Sequence, residues 1–488
     1  MRTALLLAAA ACASAPRPRP ERSRLEPLLL EALRFPTVAG DDQARLGQQQ
    51  WLLRTAGSLG LIARDAGPVT EIELPGPEGA PILGLVVHGD VQPVDAAQWT
   101  VPPFAGVARD GVVYGRGAAD DKGPLVQALL AMHAIRDLPR THTVRLLVGS
   151  DEESGSTDMG IYLRSHAPPT YSLVLDSEFP VVVGEKAWDG LAVFPANLDA
   201  GSDKPWRIEE IDAGLAPSIV PDRARLTLRW RDGTPAWETL EQRLRARTPD
   251  AGTTLKLARR EGLLEMAVQG RSAHAGVNVE GGRNALVSLA RIVSGELPDC
   301  ALADLLGFAA FAGADHRGAA MGLDAKAAPG WGGWTVNVAT LRKEPRLEGK
   351  LALVINLRRP PPLSAAQSRA LLFAQVRKFS NRLEPAELYL RDEPLVFDRD
   401  AKIVRRLMDI YARATGERPP PAISGGGTYA KRLPDAIAFG MWFPGKPYPG
   451  HDVDEQIAEA DLQRGLDVLI ETVRDIAGGP PMQEPFRP

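Results

Sequence analysis

Apolar and polar positions follow two patterns along this chain of 488 residues. In the first, short apolar and β-branched runs end abruptly in polar residues, which predicts buried strands that lead into polar loops. Segments with helical spacing of apolar residues lie between these runs. The predicted strands are 70–75, 82–88, 143–149 and 171–175, and the predicted helices are 25–35, 43–57, 124–137 and 158–165. Strand–helix alternation of this kind is typical of a doubly wound α/β sheet, whose sites lie at the carboxyl ends of its strands.

The second pattern occupies about residues 188–391, where strands alternate with amphipathic helices. It predicts an α+β lid domain inserted into the first domain, because the first pattern resumes near residue 392. A chain of this length exceeds one hydrophobic core, so more than one domain is expected. We therefore expect a discontinuous α/β catalytic domain, 25–187 and 392–480, with the lid domain 188–391 between its two parts.

Residues 1–24 have a basic start, an apolar run and then small residues, Pro and Arg. This order predicts a secretory signal, too short to span a bilayer. Cys12 is an alternative acceptor for lipid attachment, and an Ala-rich disordered extension is the third possibility. We expect export, either to the periplasm or as a lipid-anchored protein, with a cytoplasmic location as the alternative. No later window is apolar enough for a membrane span.

Composition excludes several classes of protein. The net charge is −4 with both signs interspersed, which argues against a nucleic-acid partner. The chain has two cysteines, Cys12 and Cys300, far apart in sequence, so zinc knuckles and disulfide frameworks are excluded.

Residues that commonly bind metals follow four predicted strands or loops, and one more lies late in the chain. They are His88, Asp120, the pair Glu152-Glu153, Asp176 and His451. Singly, Asp120 fits a solvated turn, and the glutamate pair fits charges at a helix start. Together, three carboxylates and one hydroxide would balance two divalent cations, with neutral histidines completing a mixed N/O site suited to zinc or manganese. Such ions lie about 3.5–4 Å apart in water-activating two-metal sites.

The motifs around these residues resemble those of one family, the dinuclear-metal aminoacylase/glutamate-carboxypeptidase-like metallopeptidases. Within it, the likeness is greatest to the bacterial dipeptidase V type, which includes Xaa-His and β-Ala dipeptidases. The similar motifs are His88-Gly-Asp-Val-Gln-Pro93, Gly115-Arg-Gly-Ala-Ala-Asp-Asp-Lys-Gly-Pro124, Ser150-Asp-Glu-Glu-Ser154, Asp176-Ser-Glu-Phe-Pro180, Gly184-Glu-Lys186, Gly270-Arg-Ser-Ala-His-Ala275, Gly425-Gly-Gly-Thr-Tyr-Ala430 and Phe443-Pro-Gly…Gly450-His451. They run in order over about residues 80–455.

The resemblance implies two bound divalent ions, zinc first, with manganese or cobalt as alternatives. It implies that His88 and Asp176 bind one ion, that Glu153 and His451 bind the other, and that Asp120 bridges them.

The resemblance also implies roles in catalysis for three further residues. Glu152 matches the general base, and Asp90 matches the aspartate that orients the histidine ligand from behind. His274, in the lid domain, resembles the histidine that stabilises the oxyanion of the tetrahedral intermediate.

A second group matches residues that bind the substrate. Arg358 would bind the C-terminal carboxylate, although the adjacent Arg359 would take its place after a shift of one residue. The backbone amides of Gly425, Gly426 and Gly427 would bind the same carboxylate. Ser218 replaces an asparagine of the family, and its hydroxyl can still donate a hydrogen bond over a shorter reach. Gln92 replaces a valine, a change from which we expect no chemical consequence.

The expected activity is metal-dependent hydrolysis of dipeptides that have a free carboxylate. An N-acyl amino acid deacylase would use the same machinery, and a catalytically inactive, metal-stabilised binding protein is the alternative of another class. The insert of about 200 residues resembles that of monomeric members of the family, so we expect a monomer with a small peptide as its only partner.

Overall fold

The computed structural model describes residues 21–199, 201–323, 328–389 and 393–482. The predicted signal or lipid-attachment segment with Cys12 lies outside these residues, as does the predicted lid boundary at residue 391. In chain order the α-helices are α1 (Arg22–Ala32), α2 (Asp42–Ser58), α3 (Lys122–Ala134), α4 (Asp158–Tyr162), α5 (Glu238–Arg245), α6 (Ala285–Val293), α7 (Ala301–Ala312), α8 (Ala365–Phe379), α9 (Lys402–Thr415) and α10 (Glu459–Gly478).

The described residues also form 22 strands. They are β1 (Ile62–Ala66), β2 (Val69–Leu74), β3 (Ile82–His88), β4 (Val107–Arg109), β5 (Val112–Tyr114), β6 (Thr143–Gly149), β7 (Tyr171–Val174), β8 (Ser177–Glu178), β9 (Val182–Glu185), β10 (Ala187–Pro195), β11 (Trp206–Ala213), β12 (Arg223–Trp230), β13 (Thr254–Arg260), β14 (Leu263–Gln269), β15 (Thr335–Glu344), β16 (Lys350–Arg359), β17 (Leu383–Tyr389), β18 (Leu395–Val396), β19 (Ala422–Ser424), β20 (Ala436–Ala438), β21 (Met441–Trp442) and β22 (Gln456–Ala458).

The first sheet has the strand order β1-β2-β6-β3-β7-β20. Strands β6, β3, β7 and β20 are parallel, and β1 and β2 add an antiparallel edge. β3 is at the centre, and residues 83–88 are all buried, as expected for a strand covered on both faces. Helices α1, α3 and α10 pack on one another, and α3 also packs on β3 and β6. The carboxyl ends of the parallel strands therefore meet at one edge of this sheet.

The second sheet is antiparallel throughout and has the order β13-β14-β12-β11-β15-β16-β10-β17. Helices α6, α7 and α8 pack on it and close a second hydrophobic core, which contains residues 191–383 only. The other core contains residues from both ends of the chain, 25–183 and 395–477. One chain thus folds around two separate cores.

The two connections between these cores lie side by side. β9 leads directly into β10, and β9 pairs with β18 at the point where the chain returns from the second sheet. β19 pairs with the same strand β9 in parallel. This small sheet holds the start and the end of the insert together.

The predicted fold class, an α/β domain with an inserted α+β domain, is confirmed. The domain limits at 187/188 and 391/392 stay predictions. Within the insert, the apolar spacing predicts strands 225–231, 253–258, 263–268 and 351–357 and helices 236–246, 283–294 and 364–379. Five elements have no counterpart among them: β10, β11, α7, β15 and β17. In the described part of the chain, no helix has the length and apolar character needed to cross a membrane.

A buried ion pair ties the first strand of the insert to its neighbours. Arg359 of β16 donates to both carboxylate oxygens of Asp189 in β10, over 2.8 and 3.3 Å, and both side chains are fully buried. Ser368 of α8 donates to the same carboxylate over 3.1 Å. Because both charges are out of water, either one left alone would be strongly destabilising.

We expect Asp189→Asn to lower the free energy of unfolding by about 3 kcal/mol, because it leaves the guanidinium of Arg359 buried without its full counter-charge. Urea denaturation followed by tryptophan fluorescence measures this change. The matched control is Asp409→Asn, which removes an exposed pair with Arg418 and should cost less than about 1 kcal/mol. Equal losses in the two variants would contradict the prediction.

Candidate metal centre

Five loops bring the predicted ligands to one edge of the first sheet. β3 ends at His88, β6 leads into the loop with Glu152 and Glu153, and β7 is followed by Asp176. The loop before α3 supplies Asp120, and the loop between β21 and β22 supplies His451. The positions of His88, Asp176 and the two glutamates follow from the predicted parallel strands, whose carboxyl ends lie at the same edge, whereas those of Asp120 and His451 do not.

Asp120 lies between the two predicted histidine ligands. Its Oδ1 is 3.0 Å from His88 Nε2, and its Oδ2 is 3.2 Å from His451 Nε2. Both carboxylate oxygens of Glu153 lie 3.1 Å from the same Nε2 of His451. Asp176 Oδ2 is 3.9 Å from His88 Nε2. One carboxylate therefore faces an imidazole on each side, which is the arrangement that a bridging ligand requires.

Two sets of three ligand atoms each fit within 4.8 Å of one another: His88 with Glu152 and Asp176, and His88 with Asp120 and Glu153. The donors are imidazole nitrogens and carboxylate oxygens, the set that zinc and manganese accept. The residues therefore fit divalent cations. Glu152 lies as close to these atoms as a ligand would, so proximity alone does not separate a base from a ligand.

Burial and neighbouring carboxylates raise the pKa of two acidic residues of the cluster, Glu152 and Asp176. Burial raises the pKa of Glu152 to about 8, and the charges of Glu153 and Asp90 act in the same direction. Burial and the charge of Asp120 hold the pKa of Asp176 well above its usual range. The excess of negative charge favours binding of cations at this position.

The pKa of both predicted histidine ligands is also raised, although burial opposes this shift. Burial lowers the pKa of His451, but Glu153 and Asp120 outweigh it and raise the value to about 10. Burial likewise opposes the shift at His88, whose pKa Asp120 and Asp90 hold well above its usual range. The negative charge of the neighbouring carboxylates thus stabilises the protonated imidazoles.

Asp90 contacts His88 mainly through its backbone. The carbonyl oxygen of Asp90 is 3.0 Å from His88 Nδ1, whereas its carboxylate Oδ1 is 3.5 Å away. The carboxylate accepts instead from the backbone N–H groups of Glu152 and Glu153, over 3.2 and 3.0 Å. Asp90 therefore fixes both His88 and the loop of the two glutamates. Because Nδ1 of His88 contacts Asp90, its Nε2 is the nitrogen that faces the predicted metal site.

The loop that carries Asp120 is fixed by a residue absent from the sequence analysis. Glu455 is fully buried, and its carboxylate accepts from the backbone N–H groups of Gly117, Ala119 and Asp120 over 2.9–3.1 Å. Arg116 donates to it as well, over 2.7 Å. The only sequence feature that could have indicated this role is its position four residues after His451.

Asp121 and Tyr448 were also missed. The Asp121 carboxylate accepts from the backbone N–H of His88 over 3.1 Å, so both members of the Asp120-Asp121 pair serve the site. Tyr448 is hydrogen-bonded to Asp120, and burial raises the pKa of its phenol well above the usual range. A Cβ at Gly450 would lie 2.4 Å from the ring of Tyr448, which explains a glycine directly before His451.

The insert contributes His274 to the same cleft. Its ring centroid is 4.4 Å from that of His451 and 6.0 Å from that of Tyr448. Its Nδ1 accepts from the backbone N–H groups of Gly276 and Val277 over 3.0 and 2.9 Å. Within one chain, the insert therefore contacts the cluster of predicted metal ligands.

The three glycines predicted to bind the substrate carboxylate differ in their contact with the cleft. Gly426 and Gly427 line it together with Asp120, Glu152, Glu153, Asp176 and His274. The amide of Gly426 donates to the Ser424 hydroxyl over 3.0 Å, so this amide is already used within the turn. The carbonyl oxygen of Gly425 lies close to Gly276 of the insert. A Cβ added to Gly276 would be 2.8 Å from this oxygen.

Arg358 and Ser218 come from the insert. Arg358 is buried, lies over the ring of Trp188 at 5.2 Å, and donates to Asn356 over 3.2 Å. Because successive side chains of a strand point to opposite faces, Arg359 is directed to Asp189 instead, so Arg358 is the arginine near the cleft. The Ser218 hydroxyl contacts Gln92 rather than the cleft.

Comparison with known proteins agrees with this description. Residues 84–475 match the model of peptidase family M20/M25/M40. The chain is 30% identical over 404 residues to the Bacillus subtilis (strain 168) protein named "Putative dipeptidase YtjP", covering 82% of this chain and 84% of that protein. It is 24% identical over 401 residues to a "Putative dipeptidase" of Staphylococcus epidermidis, covering 81% and 83%.

Solved structures share the fold. Human carnosine dipeptidase 1 aligns with a TM-score of 0.55 and 14% identity, over 92% of this chain and 95% of that chain. The dipeptidase Dug1p from Saccharomyces cerevisiae aligns with a TM-score of 0.57 and 13% identity, over 93% and 96%. The resemblance found in the motifs is thus confirmed, and the chain belongs to peptidase family M20/M25/M40, the metal-dependent peptidases.

Proposed function

We propose that this metallopeptidase hydrolyses dipeptides with a free carboxylate at a centre that binds two divalent ions, zinc above all. The single observation that carries the proposal is the position of Asp120, which presents one carboxylate oxygen to each of two buried histidines. A carboxylate between two imidazoles supports a bridged pair of ions. His88 and Asp176 would hold one ion, and Glu153 and His451 the other.

When bound, such ions polarise a carbonyl group and lower the pKa of water. Glu152 supplies the proton transfer that hydrolysis also requires. It lines the cleft, and the position of its loop is fixed by the bond from its backbone N–H to Asp90. In the metal-free protein burial raises the pKa of Glu152 to about 8. Bound cations would favour its carboxylate form, which can accept a proton from water and then donate it to the leaving amine.

His274 is suited to stabilising an oxyanion as a neutral donor. Burial, together with the charges of His451 and Arg358, holds its pKa well below the usual range. Because Nδ1 accepts two backbone N–H groups, the single ring proton must be on Nε2. The imidazole thus enters the site with a fixed tautomer and one N–H to donate.

We also propose that the monomer is the active form. The rings of His274 and His451 lie 4.4 Å apart within one chain, so a partner subunit is not required to complete the cleft. Arg358 and the glycine turn 425–427 support recognition of a substrate carboxylate at the side of the cleft where insert and first domain meet.

A substrate panel tests the proposed activity. The zinc-loaded protein should hydrolyse dipeptides, a chelator should abolish the hydrolysis, and added zinc should restore it, as liquid chromatography of the products would show. N-acetyl and N-succinyl amino acids should remain intact in the same assay. Hydrolysis of these acyl compounds alone would identify a deacylase instead, and metal-independent hydrolysis would contradict the metal centre.

We expect Glu152→Gln to lower kcat for a dipeptide by about 10²–10⁴-fold while zinc remains bound, because general acid–base catalysis contributes about that factor. Steady-state kinetics and metal analysis of the same sample measure both effects. Glu178→Gln is the matched control, since Glu178 lines the same cleft but has no part in the proposed proton transfer. Its kcat should stay within about tenfold of the wild type. Loss of zinc from Glu152→Gln would mean that Glu152 is a ligand.

Zinc binding should release protons. With a pKa of about 10, His451 is protonated at pH 7 in the metal-free protein and must lose its proton to bind an ion. The affinity for zinc should therefore rise between pH 6 and pH 8, by about tenfold per pH unit for each proton released.

Calorimetric titrations in buffers with different ionisation enthalpies at pH 7 count the released protons. We expect at least one, and His451→Gln should reduce the number. Binding of zinc without proton release would contradict this assignment.

A further inference from the structure

Gln92 has three acceptors at the boundary between the first domain and the insert. Its Nε2 lies 3.0 Å from the backbone carbonyl of Glu153, 3.0 Å from Oε2 of the same residue, and 2.8 Å from the hydroxyl of Ser218. Gln92 is 2% exposed, so these contacts are shielded from water. Its amide therefore joins a proposed metal ligand directly to the insert.

The orientation of this amide follows from its partners. A carbonyl and a carboxylate can only accept, so the atom facing Glu153 must be the nitrogen. The amide has two N–H groups for three acceptors, and one N–H is shared. A change in the position of Ser218 therefore changes how the amide holds Glu153.

Ser218 is firmly attached to the loop that carries His274. Its carbonyl accepts from the backbone N–H of Ala275 over 2.8 Å, and Ile219 is paired with His274 in an antiparallel bridge. On the other side, Asn337 of β15 donates to the carbonyl of Ile219 over 2.9 Å. The position of the Ser218 hydroxyl is thus tied to that of the His274 loop.

Other polar contacts hold the insert against the first domain without involving the predicted metal ligands. Gln98 donates to Asp222 over 2.7 Å and accepts from Gln269 over 3.0 Å. Asp95 pairs with Arg223 at 3.1 Å. Residues 92–98 therefore form a docking segment for the insert, in which Gln92 contacts a predicted ligand and Gln98 does not.

We infer that Gln92 is a positioning residue that couples docking of the insert to the orientation of the ligand Glu153. When Ser218 arrives with His274, it takes one N–H of the Gln92 amide and aligns the amide for Glu153. The docking that places the proposed oxyanion donor thus also completes the support of a metal ligand. This inference rests on the proposed metal centre.

Zinc affinity tests the link from Gln92 to Glu153. We expect Gln92→Met to weaken zinc binding by about 10–100-fold, the usual loss when a residue that supports a ligand is removed. Gln98→Met is the matched control: it removes two hydrogen bonds between the same docking segment and the insert and should leave zinc affinity within about threefold of the wild type. Competition with a fluorescent chelator measures both. Should Gln92→Met fail to fold, Gln92→Asn, which keeps the amide but shortens its reach, replaces it.

A double-mutant cycle on kcat/KM tests the link from Gln92 to Ser218. We expect Ser218→Ala to lower kcat/KM by about three- to tenfold, whereas Ser218→Thr, which keeps the hydroxyl, should stay near the wild type. Combined with Gln92→Met, Ser218→Ala should add little, because the coupling is already lost. Combined with Gln98→Met, its effect should multiply in full.

Each result supports or overturns a defined statement. Equal zinc affinities of Gln92→Met and Gln98→Met, or full multiplication of the effects of Gln92→Met and Ser218→Ala, would overturn the coupling alone. A wild type that binds no zinc would overturn the proposed metal centre, and the coupling with it.

Discussion

Mutual repulsion of buried carboxylates at the edge of the first sheet is the constraint on which the rest of this structure depends. Asp120, Glu153 and Asp176 converge on two histidines, with Glu152 beside them. Burial is the largest cause of the raised pKa of Glu152 and Asp176, and neighbouring carboxylates add to it. The carboxylates also outweigh burial at both histidines and raise their pKa. Such a cluster needs rigid support, because each side chain would otherwise turn away from the others.

The support comes from carboxylates and amides one layer behind the ligands. Glu455 fixes the Asp120 loop through backbone N–H groups, and Asp90 fixes both glutamates in the same way. Gln92 extends this layer to the insert through Ser218. The Gln92 amide adds no charge to the cluster, whereas the Asp90 carboxylate adds negative charge, which raises the pKa of Glu152 and favours bound cations.

Much of the fold follows from local patterns. The apolar run of β3 and the Ala/Leu-rich α3 with Pro124 in its first turn lie where periodicity placed them. Helix α7 was missed because its residues are almost all apolar or small and show little amphipathic spacing. Strand β15 was missed as well, although Thr335-Val-Asn-Val338 alternates polar and apolar residues; its first seven residues are all buried, the polar ones included.

The sequence by itself determined the chemical types of the ligands, their order at strand ends and the family, because a strand that ends in a polar residue is a local feature. Only the tertiary structure decided which partners those residues have. It separated Arg358 near the cleft from Arg359 buried against Asp189, and it placed Gln92 between Glu153 and Ser218, 126 residues further along the chain. Contacts between residues this far apart depend on the packing of two domains, which spacing along one chain does not encode.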